Sequence, residues 1–338
     1  MPSFSINSIG DVRHLIKSLP GPNEEALSKA LRREPQLTKP PGSLGRLEEI
    51  SHWLAAWQGR HPPQIKRARA HVFAGNHGIA QKGVSAYPSA VTEQMVGNFL
   101  TGGAAINQIC KTFDITLKVD AMELDNPTAD FSEGPAMSES ETIKSICYGM
   151  DQVNESLDIL CLGEMGIGNT TSAAAICHAL YGGDANSWTG PGTGVKGDAM
   201  SKKTEIVAKS VKKHQCKDGL DVLMCLGGRE LAAIVGAIIA SRLKTVPVLL
   251  DGFVCTAAAS ILEATLPGSL DHCQVGHASS EPGHQLLLEH IKKVPLLDFK
   301  MRLGEGSGAA LAVSVLKAGV SCHNGMATFT EAGVSDKK

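Results

Sequence analysis

The spacing of hydrophobic and polar positions changes period repeatedly along the chain. Residues 24–33 and 43–58 show the three-to-four-residue spacing of amphipathic helices. In the second, Leu47, Ile50 and Leu54 share one face, and Ser43 stands at a position suited to an N-cap. Between the two helices, Thr38-Lys39-Pro40-Pro41-Gly42-Ser43 must be a loop, because two prolines and a glycine interrupt it. Short apolar runs at 67–75, 115–119, 157–162, 246–250 and 270–275 predict buried strands. Helical patterns occupy 172–180, 198–212, 229–243, 255–262 and 309–316. Strands alternating with helices predict βαβ units and an α/β fold with a mostly parallel sheet. The run 157–162 is apolar on both faces, as a strand covered on both sides must be. The stretch 124–139, rich in Pro, Ser and acids, reads as a surface loop.

Composition narrows the class. With 43% hydrophobic and 20% charged residues among 338, the chain has apolar material for a sizeable core. With 32 basic and 34 acidic residues the net charge is -2, and nothing in the chain resembles the basic stripe that nucleic acid or an anionic membrane requires. Aromatic residues make up only 4%, too few for a platform that stacks bases. Residues 1–20 hold no continuous apolar stretch of the kind a secretory signal needs. The longest apolar run, 231–240, falls well short of the roughly 20 residues of a membrane span. Nine dispersed cysteines form no CxxC pair, which points to reduced core thiols in a cytoplasmic protein.

Several loops could carry chemistry. The strand at 157–162 runs into Gly163-Glu164-Met165-Gly166-Ile167-Gly168-Asn169-Thr170-Thr171 and then a helix. A strand, a glycine turn and a helix N-terminus make an anion site, because free N–H groups and the helix dipole face the ligand. Glu164 is out of place in such a loop unless it faces another part of the substrate. Two stretches match GxGxxG or its alanine variant: Gly192-Thr193-Gly194-Val195-Lys196-Gly197 and Gly304-Glu305-Gly306-Ser307-Gly308-Ala309. The first follows no strand, and the second has an acid where pyrophosphate would sit, so neither is a dinucleotide fingerprint. A nicotinamide-dependent oxidoreductase is therefore the rival reading, and a silent nucleotide-binding module a third. There is no Walker A motif and no Asp-Asp pair, so a Mg²⁺-bound diphosphate donor is not expected.

In Gly276-His277-Ala278-Ser279-Ser280-Glu281-Pro282-Gly283-His284, two histidines and a glutamate lie close together. Pro282 suits the first turn of a helix, with Ser279 or Ser280 capping it, and this reading is preferred to a metal site. His77, in Ala74-Gly75-Asn76-His77-Gly78, closes a strand and reads as a hydrogen-bonded loop residue. Glu305 is the sharpest candidate. Burial beside Leu303 would raise its pKa and suit it to act as a general base, whereas the dipole of the following helix would lower it. Spacing alone leaves the two effects balanced.

Six segments occur in order: Thr38-Lys39-Pro40-Pro41-Gly42-Ser43-Leu44-Gly45-Arg46-Leu47-Glu48, Phe73-Ala74-Gly75-Asn76-His77-Gly78, Gly83-Val84-Ser85-Ala86-Tyr87-Pro88, the loop 163–171, Gly192-Thr193-Gly194, and Arg302-Leu303-Gly304-Glu305-Gly306-Ser307-Gly308. Together they resemble the nicotinate-nucleotide–dimethylbenzimidazole phosphoribosyltransferases over nearly the whole chain. The resemblance implies a Rossmann-like, mostly parallel sheet flanked by helices. It also implies a smaller helical part at 1–66 joined by the C-terminal residues, a catalytic domain at 67–320 and a tail at 321–338. It implies a homodimer acting on nicotinate mononucleotide and a benzimidazole-type base; no cofactor is expected, and the missing acidic pair and a leaving group that departs neutral leave no need for a metal. Glu305 would be the catalytic base. Gly166, Ile167, Gly168 and Lys203 would lie near the phosphate, a base pocket would touch Ser85, Gln94 and Leu303, and Arg302 would bind substrate. Glu164 aligns with an active-site carboxylate. Asn76 departs from the family pattern, which often has Asp there.

Overall fold

The structure is a computed structural model and describes residues 6–335. The outer ends of the expected helical part at 1–66 and of the expected tail at 321–338 lie outside the described residues. Five strands, β1 Ala68–Ala74, β2 Ile115–Ala121, β3 Ile159–Met165, β4 Val248–Leu250 and β5 Cys273–Val275, pair in the order β2-β1-β3-β4-β5. Every pairing is parallel. Fifteen α-helices lie among the described residues: α1 Ile9–Lys17, α2 Glu24–Arg33, α3 Arg46–Gln58, α4 Ala90–Thr101, α5 Ala105–Thr112, α6 Glu139–Asp151, α7 Asn169–Tyr181, α8 Ala185–Trp188, α9 Asp198–His214, α10 Gly219–Leu226, α11 Arg229–Leu243, α12 Phe253–Thr265, α13 Pro282–His290, α14 Ser307–Gly325 and α15 Phe329–Ala332.

The sheet has an apolar core on each face, as an all-parallel sheet requires. On one face, Leu160, Leu162, Val248 and Leu250 pack with the interiors of α7, α11 and α12. On the other, Ala70, Val72, Ile159, Cys161 and Leu249 meet Ile50 and Leu54 of α3 and Ala309, Val313 and Leu316 of α14. The two chain ends come together as well. α2 and α3 lie against each other, α3 packs on α14, and Leu37 bridges to Thr328.

The strand order carries the functional consequence. From β1 the chain passes to β2 at one edge, then crosses back to β3 on the other side of β1 and continues outward to β4 and β5. The direction of winding thus reverses between β1 and β3. In doubly wound sheets a crevice opens at that switch point, outside the carboxyl ends of the strands, and ligands bind there. The turns after β1 and β3 are the Gly75–Gly78 and Gly166–Gly168 loops.

Several expectations are corrected. β3 runs on through Gly163, Glu164 and Met165, because the parallel register with β1 continues through Val72–Gly163, Phe73–Glu164 and Ala74–Met165. Glu164 is thus a strand residue. The third helix begins at Arg46 behind Gly45, not at Ser43. Glu48 reaches back to accept from the Leu44 N–H and also pairs with Lys39, which holds the preceding residues in a turn. The 124–139 stretch is a loop, but not a loose surface one: Phe131, Ala136 and Met137 are buried, and the 136–137 amides donate to the Cys225 and Met224 carbonyls.

Candidate active site

A cavity of about 270 Å³ opens at the carboxyl end of the sheet, where the strand order predicts it. The end of β3 and the turn into α7 supply Glu164, Met165, Gly166, Ile167, Asn169 and Thr170. The loop between α8 and α9 adds Gly192 and Thr193, and the segment before α14 adds Arg302, Leu303 and Gly304. Tyr87 and Leu303 stand at the mouth, each about half exposed.

Gly166 and Ile167 face the cavity, and Gly168, in the left-handed region at φ +98°, caps α7. The Ile167 N–H donates to Thr92 Oγ1 on α4, which fixes the turn. The positive end of the α7 dipole therefore lies at the cavity, where Asn169 and Thr170 line it, although the Asn169 and Thr171 N–H groups already donate to the Gly166 and Gly168 carbonyls. Lys203 lies behind this wall. It is fully buried on α9, and its ammonium donates to Thr170 Oγ1 and to the Gly190 carbonyl, both at 2.9 Å. Burial lowers its pKa to about 8. Its charge thus reaches the cavity through Thr170. Ser85 touches the rim through a 3.2 Å hydroxyl pair with Thr193. Gln94 is exposed on α4 and is not among the residues lining the cavity.

Four carboxylates converge on the same end of the sheet. Glu164 closes β3, Asp251 follows β4, Glu230 opens α11, and Glu305 precedes α14. Asp251 accepts from the Gly306, Gly308 and Ala309 N–H groups, so it occupies the N-terminus of α14. This resolves the ambiguity at Glu305. The dipole that would have lowered its pKa is taken by Asp251. Burial, reinforced by the Asp251 charge, pushes Glu305 up to about 7. Glu164 is pushed to about 8 by burial and by the Asp251 and Glu230 charges, against a hydrogen bond from the Asn169 amide.

Glu305 is held in a left-handed conformation, φ +63°, between Gly304 at +82° and Gly306 at +77°. That conformation costs a non-glycine residue roughly 1–2 kcal/mol, and such strain gathers at working sites. The Glu305 N–H donates to the Glu164 carbonyl at 3.2 Å, which ties the loop to β3. Gly163 makes the approach possible: a Cβ there would run into the Gly306 backbone. Gly163→Ala should therefore displace the Glu305 loop. Because small misplacements of a reacting group are costly, kcat should fall by about 10²-fold with KM little changed. Steady-state kinetics on a variant with an unaltered melting curve test this, and an unchanged kcat would refute it.

His77 is hydrogen-bonded, as the sequence suggested: Nε2 lies 2.5 Å from Glu230 Oε1 and Nδ1 3.1 Å from Ser172 Oγ. Asn76 donates its amide to the Leu124 carbonyl, a role open to Asn but not to an ionised Asp. In the 276–284 segment, the residue before α13 is Glu281, and neither serine caps the helix as expected. Ser279 Oγ instead accepts from the Glu281 N–H, and His284 lies between the Ser279 N–H and Thr256 Oγ1. Away from the cavity, Glu34, His52 and His323 bring potential ligand atoms within 4.8 Å of one another. Glu34 is already paired with Lys39 and bonded to His323, and the group links the 3₁₀ turn after α2 to α14.

Sequence reasoning missed Asp251 and Glu230. Asp251 was findable, since it directly follows a predicted parallel strand at the end where ligands bind. Glu230 was hidden at the head of an apolar helix, and only the Gly227-Gly228 pair before it hints at close packing. A Cβ at Gly228 would strike both His77 and Glu230.

A helix terminus and a cluster of buried carboxylates at the switch point of a parallel sheet make an α/β enzyme site suited to a phosphorylated substrate. A family profile described as "Phosphoribosyltransferase" matches residues 19–334. A nicotinate-nucleotide–dimethylbenzimidazole phosphoribosyltransferase of Rhizobium etli (strain CIAT 652) is 55% identical over 329 residues, 97% of each chain. The enzyme of that name from Ruegeria sp. (strain TM1040) is 53% identical over 98% of both chains. The crystal structure of CobT from Thermus thermophilus superposes with a TM-score of 0.87 at 41% identity, covering 93% of this chain and all of that one. The chain belongs to the nicotinate-nucleotide–dimethylbenzimidazole phosphoribosyltransferase family. It is a pentosyltransferase, and the oxidoreductase reading finds no support. Among the described residues, no helix is long and apolar enough to cross a membrane.

Proposed function

We propose that this enzyme transfers the 5-phosphoribosyl group of nicotinate mononucleotide to 5,6-dimethylbenzimidazole or a related base. The products are α-ribazole 5′-phosphate and nicotinate, and the reaction serves assembly of the lower ligand of cobalamin. The observation that carries the reading is Glu305, buried in a left-handed turn directly after Gly304, which lines a cavity whose other wall is the N-terminus of α7. The substrate names come from the relatives. The same likeness favours a cytoplasmic homodimer.

The 5′-phosphate sits at the N-terminus of α7, against Gly166, Ile167 and Thr170, with the Lys203 charge behind. The bond from C1′ to the pyridinium nitrogen breaks as its electron pair returns to that nitrogen, so nicotinate leaves as a neutral ring. The developing positive charge at C1′ is oxocarbenium-like, as at other glycosidic carbons, and the carboxylates at the end of the sheet stabilise it. The incoming base attacks C1′ from the opposite face through one ring nitrogen. Glu305 takes the proton from the other, which keeps the new nucleotide uncharged at the base. The leaving group needs no metal, since it departs neutral.

Incubating the enzyme with nicotinate mononucleotide and a panel of benzimidazoles, followed by mass spectrometry, tests the assignment. The expected products are free nicotinate and the ribosylated base in equal amounts. Nicotinate release without ribosylation of any base would overturn it.

A further inference from the structure

The cavity holds one more carboxylate, for which the reaction so far has no use. Glu281 immediately precedes α13 and lines the cavity, with only 5% of its surface exposed. Residues at this position commonly turn the side chain back to cap their own helix, but Glu281 makes no such bond. Both of its carboxylate oxygens are buried with no hydrogen bond of good geometry, the Gly192 N–H being the one backbone donor that faces them. Burial raises its pKa, and the charges of Lys203 and Arg302 and the nearby Gly192 N–H only partly offset this. No cation comes within ion-pair distance of it among the described residues, since Lys203 donates to Thr170 and Gly190, and Arg302 donates to the Gly192 carbonyl. The backbone makes room for it: a Cβ on Gly190 would run into Glu281 Oε2. A buried, unpartnered carboxylate costs free energy in the unliganded protein, so a ligand that donates to it recovers that cost.

The chemistry of the substrates decides which part can do so, on the reading given under Proposed function. The phosphate and the nicotinate carboxylate are acceptors and would be repelled. The benzimidazole has one N–H, which Glu305 takes. The ribose carries two adjacent hydroxyl donors, and a carboxylate with two free oxygens can accept from both. We propose that Glu281 recognises the vicinal 2′,3′-diol of the ribose, so that it makes the enzyme selective for ribose over deoxyribose and fixes the sugar between the α7 terminus and Glu305.

Equilibrium binding in the absence of acceptor base tests the proposal, using nicotinate mononucleotide and its 2′-deoxy and 3′-deoxy forms. Hydrogen bonds to a charged group contribute enough that the native enzyme should bind each deoxy donor roughly 10- to 100-fold more weakly. Glu281→Ala should bind the normal donor weakly and lose most of the discrimination, to within about threefold, because the partner of the hydroxyls is gone. Glu281→Gln, which keeps the side-chain shape, should lie between the two and serves if the alanine variant does not fold. A variant that is uniformly weaker but still discriminates like the native enzyme would overturn the proposal, as would a native enzyme indifferent to the hydroxyls. If the native enzyme releases no nicotinate from the mononucleotide, the functional reading fails on its own. Glu281 is then tested with ribose 5-phosphate against 2-deoxyribose 5-phosphate, where equal binding overturns it.

Discussion

Glu305→Gln should turn over roughly 10²–10⁴-fold more slowly than the native enzyme, the usual contribution of a positioned base. Glutamine keeps the shape of the side chain and one acceptor, but it cannot take a proton. Donor and base affinities should change little, because the lost interaction belongs to the transition state. The choice between Glu305 and Glu164 follows from their environments. Glu164, at about 8, holds its proton at neutral pH, and one of its oxygens already accepts from the Asn169 amide, so it is the poorer proton acceptor of the two. Glu305, at about 7, is half ionised near neutrality. The native kcat/KM should therefore fall about tenfold per pH unit below pH 7, as the base of the free enzyme is protonated. With the cationic pyridinium bound, that pKa drops, so the acid limb of kcat should lie at lower pH than that of kcat/KM. Glu305→Gln should lose this limb in both. A pH–rate series on the two proteins checks the assignment. A variant within a few-fold of native turnover would remove Glu305 from the role of base and make Glu164 the next carboxylate to test.

The parts of this site differ in how far the sequence exposes them. Strand positions were legible because buried parallel strands are short apolar runs, and all five predicted runs overlap observed strands. Their ends were less so: β3 looks finished at Leu162 because glycine and glutamate follow, yet the register with β1 carries it to Met165. Glu305 stood out through its glycine neighbours, but its pKa was undecidable from spacing. What settles it is Asp251, far earlier in the chain, which takes the N-terminus of α14 and is brought there only by the fold. Glu281 shows the converse. The segment around it was noticed for its histidines and read as a capped helix start, whereas Glu281 makes no cap bond and lines the cavity with its carboxylate buried.

Removing the 5′-phosphate should weaken the donor nearly as severely as removing the base slows the enzyme. The N-terminus of α7 closes a glycine turn, and its dipole and the Gly168 and Thr170 N–H groups, which the Gly166 and Gly168 carbonyls do not occupy, suit a dianion. Thr170 strengthens it. Its hydroxyl oxygen accepts from Lys203, so its own O–H is left to point elsewhere, and Thr170 lines the cavity. Each hydrogen bond to a charged group contributes about 1.5–3 kcal/mol. Two such bonds correspond to a loss of roughly 10²–10⁴-fold in kcat/KM for nicotinate riboside relative to the mononucleotide. The loss should fall on kcat as well as KM, since binding energy at the phosphate holds C1′ in line with the attacking base. Lys203→Met should reproduce part of the defect, because it removes the buried charge behind Thr170 without touching the helix terminus. It should also shrink the gap between riboside and mononucleotide. Steady-state kinetics with both donors on both proteins separate these effects. Equal efficiency for the two donors in the native enzyme would move the phosphate away from α7, whatever the role of Glu305.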